Sequence, residues 1–193
     1  RLIGGQGIFV TTRAIDNDTP SNVADLTLAG VTGITLVDPA AGFDLEITVQ
    51  APNWADFDTI EVYSNATTIP APTQPSVPEL FSATPMATLV KGADFVVSSI
   101  PVSSDSRQEV VTTVPFTGLS ADLWVVVVVK GTDGISGPMF PAYPAQLDSG
   151  TNVDLVDLLD GNVGESGTMA LGFTNALYID ADGVVGFKGP TEP

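Results

Sequence analysis

The chain has 193 residues, 44% of them hydrophobic and only 15% charged, so it can bury a core without disulfide or metal staples and is not a disordered polymer. It carries 23 acids against 6 bases, a formal net charge of −17, and neither histidine nor cysteine. Those two absences remove the usual neutral-pH proton shuttle and the soft metal ligand, and so argue against zinc sites, Ser-His and Cys-His catalysis and haem attachment.

The bases Arg1, Arg13, Lys91, Arg107, Lys130 and Lys188 are scattered. No basic stripe exists to neutralise phosphates, which argues against nucleic acid and against anionic membrane surfaces as partners. Divalent cations and cationic surfaces are the partners that the charge permits. The longest wholly apolar run, Leu123 to Val129, is far shorter than the ~20 residues of a membrane-spanning helix. No signal peptide is evident, and a start at Arg1 reads as a processed or excised form.

In chain order, Gly4-Gly5-Gln6-Gly7 precedes a strand rather than opening a helix, so it is no phosphate cradle. Phe9 to Ile15 is the first predicted strand. Asp16-Asn17-Asp18 follows as an oxygen-rich cluster, which reads as a solvated loop with Asx turns or, less simply, as a cation site at Asp16 and Asp18. Asn17-Asp18-Thr19 and Asn65-Ala66-Thr67 fit the glycosylation acceptor pattern. Leu26 to Leu28 and Ile34 to Val37 are further strand candidates. Phe43, Leu45, Ile47 and Val49 alternate with Asp44, Glu46, Thr48 and Gln50, which puts four apolar side chains on one strand face.

Trp54-Ala55-Asp56-Phe57-Asp58 brings two carboxylates and two aromatics together. Such a group can serve as a glycosidase pair or a sugar-stacking platform, but a core plug at Trp54 explains it as well. Ile60 and Val62 continue the strand pattern. Pro70 to Pro78 is the most proline-rich stretch and reads as a long inter-strand loop. Ala93 to Ser98 is a candidate strand after Lys91-Gly92. Arg107 to Phe116 is another, with Val110, Thr112, Val114 and Phe116 on one side. Leu123 to Val129 is apolar at every position and reads as a central strand covered on both faces.

Residues of about 146–167 form an irregular insertion in which Val153 to Leu159 can make short helical turns. Gly164-Glu165-Ser166-Gly167 lacks the spacing of a hydrolase elbow, and no spacing supports a Ser-Lys pair using Lys91, Lys130 or Lys188. Ala170 to Ile179 and Val184 to Phe187 complete the strands. Between them, Asp180-Ala181-Asp182-Gly183 is the sharpest local signal. Two carboxylates before a glycine turn can wrap calcium, yet Val184 stands where a further oxygen ligand belongs, so a plain Asp-Gly hairpin turn explains the motif too. Asp180 and Asp182 are the metal candidates.

The pattern predicts a single all-β domain over 1–193, an immunoglobulin-like antiparallel β-sandwich with long Pro/Gly-rich loops. Three stretches, Gln6 to Val10, Val49 to Trp54 leading into Ile60 to Asn65, and Phe173 to Gly183, stand in this order with Asp122 to Gly131 between the last two. Together they resemble the C-terminal β-sandwich region of secreted bacterial PHP-type metallohydrolase-like proteins. The resemblance implies a fold and an exported setting but no activity, since that family's metal site lies in a preceding catalytic domain. Thr174-Asn175-Ala176-Leu177 departs from the family's Thr-Asn-Pro-Ile.

The expectation is therefore a non-enzymatic extracellular structural protein without a cofactor other than calcium. It is expected to be a homo-oligomer or the subunit of a surface filament built by strand addition, with Arg1 to Ile15 or the C-terminal segment as donor. The alternatives are an accessory domain of an exported PHP-type metallohydrolase and a calcium-dependent carbohydrate-binding module whose partners are a glycan and a divalent cation.

Overall fold

A computed structural model describes residues 4–5, 7–25, 33–53, 55, 57–64, 84–103, 105–131 and 171–188. Its strands are β1 (Gly4–Gly5), β2 (Phe9–Asp16), β3 (Val23–Asp25), β4 (Gly33–Thr35), β5 (Phe43–Pro52), β6 (Thr59–Ser64), β7 (Ala87–Val90), β8 (Ser98–Val102), β9 (Asp105–Phe116), β10 (Leu123–Lys130), β11 (Leu171–Phe173) and β12 (Leu177–Asp180). They form two sheets and no helix among the described residues, an all-β sandwich as the periodicity predicts.

One sheet runs β3-β2-β5-β9-β8 with every pairing antiparallel. In the other, β10 is central. On one side it pairs with β6, which pairs in turn with β7. On its other side β11 and β12 share its length, with β1 beyond β11 and β4 parallel to β12.

Alternation dictates which residues fill the space between the sheets. Val10 and Ala14 of β2, and Phe43, Leu45, Ile47 and Val49 of β5, are buried while their neighbours face out. Phe43 and Phe116 lie opposite each other in register and stack with ring centroids 4.5 Å apart. From the facing sheet come Ile60, Val62, Val125, Val127, Val129, Leu177 and Ile179, and one hydrophobic cluster unites both sets. Two glycines make the approach possible. At Gly42, with φ +75°, a Cβ would sit 1.8 Å from the Phe116 carbonyl oxygen, and at Gly172 it would meet Ile8 Cγ2 at 2.8 Å.

The structure corrects several boundaries. β10 is central as expected, but only Leu123, Val125, Val127 and Val129 are fully buried; Trp124, Val126, Val128 and Lys130 are half-buried on the outer face. Ala170 to Ile179 is not one strand, since β11 and β12 are separated at Thr174. There the Thr174 amide donates to the Val127 carbonyl (3.0 Å), and its Oγ1 accepts from the Val127 amide (3.1 Å). A side chain replaces one rung of the ladder, which no periodicity reveals. Ala93 to Ser98 is not a strand: Ala93 and Asp94 lie in a turn, Phe95 makes an isolated bridge to Lys91, and the pairing with β9 begins at Ser98. Val184 to Phe187 is no strand either, for a reason given below. Leu26 to Leu28, the Pro70 to Pro78 loop and the insertion of about 146–167 lie outside the described residues.

Candidate functional site

Antiparallel register builds the site. Leu123 of β10 pairs with Ile179 of β12, so the residue before the first and the residue after the second, Asp122 and Asp180, face each other at the end of the ladder. Both are buried, at 6% and 4% exposure. Two facing carboxylates at the end of a sheet need donors, and the chain after β12 supplies them. It folds back across the pair instead of continuing as a strand. Asp122 Oδ1 accepts from the Ala181 and Asp182 amides (2.8 and 3.0 Å), and Asp122 Oδ2 accepts from the Lys188 amide (2.6 Å). Asp180 Oδ2 accepts from the Gly186 amide (2.8 Å) and the Thr35 hydroxyl (3.0 Å).

This capture explains why Val184 to Phe187 forms no hairpin strand: the amides of residues 181, 182, 186 and 188 are bound to carboxylates. Gly183 (φ 76°) and Gly186 (φ 107°) let the loop turn back. Phe187 then packs edge-on against Tyr178, centroids 5.0 Å apart.

Asp182 completes the group. Its Oδ1 accepts from the Val184 amide (2.7 Å), and its Oδ2 receives the Lys188 ammonium at 2.7 Å. The hydrogen bond from Lys188 holds the Asp182 carboxyl below its usual range, and the same bond raises Lys188 above its own. One carboxylate oxygen from each of Asp122, Asp180 and Asp182 lies within 4.8 Å of the others, the one such group of three or more acidic ligands among the described residues. Asp180 and Asp182 are the residues that the motif nominates. Asp122 was missed, because only the register of two strands distant in sequence places it there.

Asp16 is built differently. It is fully buried at the end of β2, and both its oxygens are engaged. The amides of Asp18 (3.0 Å) and Thr19 (3.3 Å) donate to Oδ1, while Asn22 Nδ2 (2.9 Å) and the Val37 amide (3.1 Å) donate to Oδ2. Burial opposes its charge, but the bonds from Asn22, Val37, Thr19 and Asp18 outweigh burial and hold its pKa below the usual value. Asp18 is exposed and contributes its amide to this knot.

The two carboxylate centres are joined. Asn22 Nδ2 also donates to the Thr35 carbonyl (2.8 Å), whose residue bonds Asp180 through its hydroxyl, and the Leu36 amide donates to the Asp180 carbonyl (2.9 Å). Residues 35–37 thus tie Asp16 of one sheet to Asp180 of the other.

The remaining candidates are dispersed. Phe57 is 1% exposed and stacks on Phe95, so it belongs to the core rather than to a sugar platform. Trp54, Asp56, Asn65 and Ser166 lie outside the described residues. Lys130 is paired with Glu61 at 2.7 Å. Asn17 is exposed, with its Nδ2 donating to the Ala41 carbonyl at 3.1 Å.

Comparison with known proteins adds no relative: no family model, curated protein or solved structure matches the chain.

Proposed function

We propose that this chain is a non-enzymatic structural module that works by self-association outside the cell, as the subunit of a surface assembly. The observation that carries this reading is the outer face of the β10 sheet. In register across it lie Tyr63 beside Val126, Val128 beside Phe173, and Trp124 beside Tyr178. Phe173 is 37% exposed and Tyr178 43%. Glu61, opposite Val128, and Lys130, on the next outward-facing rung, pair in one salt bridge. A chain of net charge −17 that keeps these rungs apolar is suited to contact there.

The strand order supports an immunoglobulin-like type. β2, β5, β9 and β8 occupy the places of the A, B, E and D strands, and β6, β10 and β12 those of C, F and G. Of the two segments nominated as strand donors, Arg1 to Ile15 includes β2, which is engaged at home between β3 and β5, while the C-terminal tail after Lys188 lies outside the described residues. Contact between faces therefore suits this fold better than donation of β2. The acid surplus and the absence of cysteine accord with an exported setting.

Sedimentation across about a hundredfold range of concentration tests the reading, with Val126→Lys and Tyr178→Lys as variants that bury an unpaired cation in any such contact. Concentration-dependent oligomers in the parent chain, lost in both variants with the far-ultraviolet spectrum unchanged, are expected. A monomer under all conditions, at low and at high salt, overturns it.

A further inference from the structure

We propose that Asp122, Asp180 and Asp182 hold one calcium ion at the end of the sandwich, and that Lys188 is the tethered cation it displaces. The cluster alone would not carry this, because acidic groups gather on many surfaces. Asp180 adds a second observation. The residue is 4% exposed, and its Oδ1 is buried with no hydrogen-bond partner, whereas its Oδ2 has two. A buried carboxylate oxygen without a donor is rare, because the desolvation it suffers goes uncompensated. Here that oxygen belongs to a member of a three-carboxylate group in which one ligand atom from each residue lies within 4.8 Å of the others. A hard cation shared by the group supplies the missing partner.

Charge and donor chemistry select the ion. Once Lys188 swings away the three carboxylates carry three negative charges, and a divalent ion offsets two of them where the tethered ammonium offsets one. All ligands are oxygens, so the ion is hard. The carboxylates are pinned at their observed spacing by the amides of residues 181, 182, 184, 186 and 188 rather than free to close into a small octahedron. Calcium tolerates such irregular spacing and completes its shell with water, while magnesium demands near-ideal octahedral geometry. Lys188 Nζ rests on Asp182 Oδ2 at 2.7 Å, where it competes with the incoming ion.

The inference is independent of self-association and is read on dilute monomer. Titration calorimetry with calcium chloride and with magnesium chloride compares the parent chain with Lys188→Met, Asp182→Asn and Asp44→Asn, the last on the opposite sheet. One calcium per chain is expected, with weaker magnesium binding. Lys188→Met should tighten calcium, Asp182→Asn should weaken it at least about tenfold, and Asp44→Asn should leave it unchanged. Asp182 is partly exposed, so its variant is expected to fold, and circular dichroism checks this. No calcium heat in either the parent chain or Lys188→Met overturns the proposal. So does binding that Asp182→Asn and Asp44→Asn weaken equally, which is a diffuse counterion atmosphere.

Discussion

Asp16 gathers donors from four residues onto a side chain with no exposure, and these donors come from the loop after β2 and from the segment after β4. Its folded pKa is lowered, so the native state binds that proton less readily than the unfolded chain does. The stability it contributes is therefore fully present above the unfolded carboxylate range, near pH 4, and is lost as pH falls through the lower folded value. Asp16→Asn mimics the protonated form badly, because one oxygen becomes an amide nitrogen that cannot accept. The Asn22 and Val37 donors, or the Asp18 and Thr19 donors, are then left facing a donor. We expect Asp16→Asn to lose roughly 2–4 kcal/mol at pH 7 in urea unfolding, and the loss to shrink toward pH 3. An unchanged midpoint at neutral pH would show that the loop reorganises around water instead.

The strands differ in how far their own residues announce them. In β5 the apolar and polar positions alternate, and the structure buries the predicted face, Phe43, Leu45, Ile47 and Val49. In β10 the sequence offers five consecutive valines, and such a run cannot say which face is inside. The neighbours decide: Val125, Val127 and Val129 turn toward the other sheet, while Val126 and Val128 lie against Tyr63 and Phe173 at a surface. The same limit hid Asp122, whose place depends on the β10–β12 register, and Thr174, whose hydroxyl stands in for a backbone carbonyl. Local pattern reports the period of a strand; its partners, register and interruptions are set by residues far away in the chain. The valines allow a direct check. Val127→Ala, at a site with no exposure, should cost about 2–3 kcal/mol, whereas Val128→Ala should cost under about 1 kcal/mol in the monomer. Equal losses in chemical denaturation would mean that the outer face is as tightly covered as the inner one.

At the scale of the whole molecule, a net charge of −17 opposes compaction, and this opposition must respond to salt and acid in a particular combination. Acid removes the charge of the surface carboxylates and with it their mutual repulsion, which by itself relieves the fold. Asp16 acts in the opposite sense, because its depressed pKa makes acid destabilising. The two contributions differ in screening. At about 1 M salt the Debye length is only ~3 Å, so repulsion between exposed acids is largely removed, while hydrogen bonds to a buried carboxylate are little affected. Salt should therefore raise the melting temperature at pH 7 by several degrees, the shift that about 1–2 kcal/mol produces in a domain of this size. Salt should also make the fall in stability between pH 5 and pH 2 steeper, since it cancels the compensating relief and leaves the loss at Asp16 exposed. Thermal unfolding followed by circular dichroism at two ionic strengths across this pH range measures both effects. Curves that run parallel at the two ionic strengths would mean that the acids are spaced too far apart to repel, and that the buried carboxylates alone govern the acid limit of the fold.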